Sequence, residues 1–114
     1  MADLTPITVT IANGGTISTE AKLGFKTLVG ILFPSNWTPA AVTFQATPDD
    51  INFFPLFDQV SGAAIGITSA ALGTWYALTN DAQWASVNGV RLISGATQTT
   101  GPVIITLFVR TVAF

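Results

Sequence analysis

KTLVGILFPSNWTPAAVTFQATPDD, running from Lys26 to Asp50, joins a continuous apolar run, a turn-rich break and a clean alternation. Leu28 to Phe33 is apolar or glycine at every position, which fits a strand covered on both faces. Pro34 stops it, and Ser35-Asn36-Trp37-Thr38-Pro39 is a turn pinned by two prolines. In Val42-Thr43-Phe44-Gln45-Ala46-Thr47 the apolar side chains fall on every second residue, the period of a half-buried strand. Pro48-Asp49-Asp50 turns the chain again. The segment therefore predicts strand, turn, strand, turn, and nothing helical.

The same grammar extends in both directions. Ile7-Thr8-Val9-Thr10-Ile11 alternates strictly with β-branched residues, so Ile7, Val9 and Ile11 share a core face. Asn13-Gly14-Gly15 ends that strand with residues that tolerate positive φ, and Thr16 to Thr19 returns. On the other side, Phe53 to Phe57 holds Pro55, which confines it to a sheet edge or a bulge. Ile65 to Thr68 and Trp75 to Leu78 are weaker strands. Asn80 or Asp81 can cap one helical turn through Ala82 to Ala85. Val90 to Ser94 is a strand with Val90 and Leu92 inward, Gly95 to Gly101 reads as a polar loop, and Val103 to Val112 closes the chain. Val103, Ile105, Leu107 and Val109 share one face of that last strand, while Ile104, Thr106, Phe108, Arg110 and Val112 share the other. About eight strands at such spacing predict an all-β chain, a single antiparallel β-sandwich or jelly-roll-like domain over residues 1–114 with one short helical turn. Residues 1–6 are expected to form an N-terminal arm.

Composition narrows the function. The 114 residues contain no cysteine and no histidine, which removes disulfides, thiolate and imidazole metal ligands, and histidine-based nucleophile systems. Charged residues make up only 9%, against about 25% in ordinary soluble domains. A surface of hydroxyls, amides and small apolar groups suits a protein packed against copies of itself or a larger assembly. The alternative is a monomer with a neutral, threonine-rich surface. The net charge is −2, and Lys22, Lys26, Arg91 and Arg110 are scattered, so no nucleic-acid partner is expected. No run approaches the roughly 18 to 20 apolar residues of a spanning helix, so no membrane partner is expected either. MADLTPITVT lacks the basic and apolar regions of a secretory signal, and production in the cytoplasm without export is expected.

Candidate sites are few. Asp49, Asp50, Asn52 and Asp58 form the one acidic cluster. Part of a cation site can be built from such groups, but adjacent turn carboxylates more readily bond their own backbone. Trp37, Trp75, Tyr76 and Trp84 offer an aromatic platform for sugar rings, or they close the ends of the sandwich. Trp37, on its turn, is the candidate ligand aromatic, although weighed against the rest of the chain it reads as a packing residue at one end of the domain, and Trp84 is the candidate core plug. No nucleophile–base pair, cofactor motif or metal site is visible, so neither enzymatic activity nor a cofactor is expected. The outer-facing Ile104, Phe108 and Val112, together with Phe114 and with Leu4 and Pro6 at the other end, are the candidate interface. Burial of both faces of the last strand within the domain is the competing account.

The chain also resembles a family of small virion-associated proteins of tailed phages and prophages. The resemblance is carried by Gly24 to Gln45, Asp49-Asp50, Phe54 to Asp58, Tyr76-Ala77-Leu78 and Val90 to Gly95, and it spans roughly Ile7 to Arg110. It implies a sandwich or jelly-roll unit that decorates the virion. The role implied is capsid cement or decoration protein on the capsid exterior, a homo-oligomer and commonly a trimer, with the major capsid protein as partner. A carbohydrate-binding module, or a fibre or tail component on the virion surface, is the alternative.

Overall fold

A computed structural model describes residues 4–24, 26–57, 61–78 and 88–111. Ten strands alternate with turns: β1 (Thr5–Ile11), β2 (Gly15–Ile17), β3 (Ala21–Lys22), β4 (Lys26–Leu32), β5 (Ala40–Thr47), β6 (Phe54–Pro55), β7 (Gly66–Ala70), β8 (Trp75–Ala77), β9 (Gly89–Gln98) and β10 (Val103–Thr111). No helix occurs among the described residues. The expected helical turn, Trp84, Asp58, Val112 and Phe114 all lie outside them.

The strands form two antiparallel sheets. One has the order β1-β10-β4-β8. The other has β2-β9-β5-β6, with β3 also on β9 and β7 also on β5. β2 and β3 meet different stretches of β9, and β6 and β7 different stretches of β5, so each pair is one interrupted edge strand. Counting each pair as one gives eight strands, ordered 1-8-3-6 in the first sheet and 2-7-4-5 in the second. Two Greek keys wound this way are a jelly roll. The all-β sandwich expectation holds, and the two interrupted edges account for ten strands in place of about eight.

Alternation predicts the core correctly. Val9 and Ile11 from β1, Val42 and Phe44 from β5, Val90 and Leu92 from β9, and Val103, Ile105, Leu107 and Val109 from β10 are all buried. Each such side chain contributes roughly 1.5–3 kcal/mol by leaving water. β4 departs from simple alternation. Leu28 pairs with Val109 but the next pair is Gly30 with Phe108, so Val29 is an extra residue. This bulge resets the pleat, and Leu28 and Ile31 both point into the core although a regular strand would place them on opposite faces.

Two expectations are corrected. β9 runs on through Gly95, Ala96 and Thr97 to Gln98, so the polar loop begins only after Gln98. Thr5 and Pro6 are not an arm: they pair with Val109 and Phe108 as the start of β1.

Candidate functional site

Trp37 is not on the surface. It is 2% exposed, its ring packs 4.8 Å from that of Phe33, and its Nε1–H donates to the Ala70 carbonyl at 3.0 Å. The turn that carries it is bound down, with the Asn36 side-chain amide donating to the Pro102 carbonyl at 3.1 Å. Trp37 is a core side chain with its one polar atom satisfied, and the ligand expectation at this residue is withdrawn. Tyr76 is half-buried against the core. Its ring meets Phe33 edge-on at 5.7 Å, and its hydroxyl accepts from the Ala71 N–H at 2.9 Å.

The acidic cluster is a turn. Asp49 accepts from the backbone N–H groups of Asn52 at 2.8 Å and Ile51 at 3.0 Å, and from the Asn52 side-chain amide at 2.8 Å. These bonds, the Asn52 backbone one foremost, hold the Asp49 carboxyl down at about 2. Asp50 takes a left-handed backbone with φ 64° and pairs with Lys22 at 3.4 Å, an exposed contact worth little. Glu20 lies beside Asp50, which pushes the Glu20 carboxyl above its ordinary range. Among the described residues, no group of three or more acidic side chains could hold a metal ion.

The outer face of the first sheet carries the most unusual geometry. Trp75 of β8 and Phe108 of β10 flank β4 and reach across it, stacking at 4.1 Å between ring centres with planes 5° apart. Beneath them lies Gly30, paired on one side with Phe108 and on the other with Ala77. A Cβ at Gly30 would sit 2.8 Å from Trp75 Nε1, so the indole occupies the space that any larger residue needs. Beside the pair is an open cleft of about 360 Å³. Its lining comes from Val29 and Gly30 of β4, Trp75 and Leu78 around β8, Phe108 and Arg110 of β10, and Leu4 ahead of β1.

The interface residues named from the sequence therefore separate. Ile104 is 54% exposed and Leu4 40%, and Pro6 is exposed too, so this part of the face is open. Phe108 is half-buried under Trp75 and so is covered within the chain. Sequence reasoning missed Trp75 as the exposed tryptophan, at 50%. It also missed a second apolar patch of Ile51, Phe54 and Phe57 along the β6 edge. Pro55 marked that edge. The neighbouring Phe53 is shielded by Arg91, whose guanidinium lies 3.9 Å above its ring.

The chain matches no family profile and no curated protein. Among solved structures, it is similar to the SPBc2 prophage-derived protein YomS, with 14% identity and a TM-score of 0.61 over 97% of this chain and 96% of that one. At that identity the likeness establishes a shared fold. A Yersinia pseudotuberculosis-derived mitogen aligns over 100% of this chain and 90% of its own with 7% identity and a TM-score of 0.45.

Proposed function

We propose that this chain is a structural protein of a phage particle, a decoration protein that binds the assembled head shell from outside as a homo-oligomer. The observation that carries this reading is the exposure of two large apolar side chains, Ile104 and Leu4, toward opposite ends of the β1–β10 pair on the outer face of the first sheet. A chain with 9% charged residues has few groups to keep exposed apolar side chains solvated, which supports contact with copies of itself and with a capsid protein. The shared fold with a prophage-derived protein supports a phage setting. Trimeric symmetry and the major capsid protein as partner come from the family resemblance. On this reading its work is thermodynamic. A protein that binds only the assembled shell stabilises that state by mass action.

Two measurements test it. The mass of the purified protein in solution is expected to be a multiple of the 11.9 kDa chain. Particles carrying the protein are expected to melt above particles lacking it. A monomer that leaves particle melting unchanged overturns the proposal.

A further inference from the structure

The cleft beside Trp75 has a composition that shell binding does not call for. We propose that it is a saccharide site, and that its ligand is a sugar ring bearing a carboxylate. Trp75 is held in place twice, by its stack on Phe108 and by its fit over Gly30. Despite this it stays 50% exposed, so a rigid indole faces solvent at little cost in side-chain entropy on binding. An indole face carries negative charge density and attracts the weakly positive C–H edge of a ring laid against it. The cleft is open, so a wholly apolar ligand would leave much of its surface in water. A sugar, with one C–H-rich face and hydroxyls on the other side, loses nothing by remaining half solvated.

The charge of the ligand follows from Arg110. It is exposed, lines the same cleft as Trp75, and makes no ion pair or hydrogen bond among the described residues. The chain's other described arginine, Arg91, is engaged by Gln45 at 2.7 Å and by Phe53. An unengaged guanidinium beside an exposed indole matches a carboxylate in the plane of a ring, which it can bind through two parallel N–H bonds.

The test is an NMR titration of the full chain with methyl β-glucuronide. Methyl β-glucoside serves as the uncharged counterpart, and benzoate as a flat acid without hydroxyls. Saturable shifts at the Gly30 amide and the Trp75 indole N–H are expected with the glucuronide, with the glucoside about tenfold weaker. Arg110→Gln, an exposed substitution that leaves the fold intact, is expected to bring the glucuronide down to the glucoside's affinity. Trp75→Leu is expected to abolish both. No saturable shift with either sugar overturns the proposal, as does benzoate binding in place of the glucuronide, or glucuronide binding that Arg110→Gln leaves unchanged. Particle melting does not enter this test, so the site and the shell-binding role stand or fall separately.

Discussion

The side-chain amide of Gln98 closes a two-bond ring with the backbone of Thr38, accepting from the Thr38 N–H at 2.8 Å and donating to the Thr38 carbonyl at 3.0 Å. Its Nε2 also reaches Ser94 Oγ at 3.1 Å, and its own backbone carbonyl accepts from the Gly14 N–H. One wholly buried residue thus ties β9 to the β1–β2 turn through its backbone and to the β4–β5 turn through its side chain. Gln98→Leu keeps comparable volume but strands the Thr38 groups. The expected cost is about 1–3 kcal/mol. It should appear as a lower urea midpoint with an unchanged slope.

The same residue shows where sequence reasoning stops. Gly95 to Gln98 has the composition of a loop, and only its partner strand β2, through the Gly15–Gln98 pair, makes it strand. Thr38 lies 60 positions away and no local pattern announces it. The ligand alternative at Trp37 stays open in the sequence for a related reason. Two flanking prolines mark a turn correctly, but they do not say that the turn folds its tryptophan inward over Phe33. Ile7 to Ile11 and Val42 to Phe44 were legible because a period of two is itself the physical cause of one-sided burial. The Trp75–Phe108 pair was not, since its geometry depends on which strand lies between them, and Gly30 reads from sequence as one more member of an apolar run.

Gly30 makes that pair testable. Gly30→Ala places a methyl against the Trp75 indole, and the ring must leave its stack on Phe108 to make room. The expected loss is about 1–3 kcal/mol. In a Trp75→Leu background the same substitution meets a smaller, more flexible side chain and is expected to cost less than about 0.5 kcal/mol. A double-mutant cycle by denaturant unfolding measures the difference, and equal costs in both backgrounds would remove the stack as the cause.

Asp49 contributes a defined acid sensitivity. Its folded-state carboxyl is held at about 2 against an ordinary 3.8, chiefly by the Asn52 N–H, so it favours the folded state at any pH above 3.8. That contribution is lost as pH falls from about 4 toward 2. Wild type is therefore expected to lose melting temperature through this window more steeply than Asp49→Asn, whose side chain does not titrate. Parallel curves would assign the acid sensitivity to other carboxyls.

Glu20 works in the opposite direction. A side-chain hydrogen bond to Asp50, which only the protonated carboxyl can donate, raises its folded-state value above the ordinary 4.5, with desolvation and the Asp50 charge adding to it, so the ionised form is disfavoured on folding. The resulting penalty is present above the folded value and is relieved as pH falls through it. Glu20 Oε2 is also buried without a hydrogen-bond partner. Glu20→Gln removes the like charge and supplies an N–H to face Asp50. It is expected to raise the melting temperature at pH 7 and to leave it unchanged near pH 3, where the wild-type glutamate is protonated.

Ile104 separates folding from assembly. Its side chain is 54% exposed on a strand whose opposite side chains Val103, Ile105, Leu107 and Val109 are buried, so a polar replacement disturbs no core contact. Ile104→Lys is expected to change monomer stability by less than about 0.5 kcal/mol, as for surface substitutions generally. If the outer face is the contact surface, the lysine puts an unpaired charge into a desolvated interface, where the cost is several-fold larger than any loss of packing. The oligomer should then dissociate, and the protein should no longer sediment with particles, while its circular dichroism spectrum and unfolding midpoint match wild type. Retention on particles by a folded Ile104→Lys variant would move the contact surface off this face, and the patch of Ile51, Phe54 and Phe57 on the β6 edge would be the next to test by the same substitution.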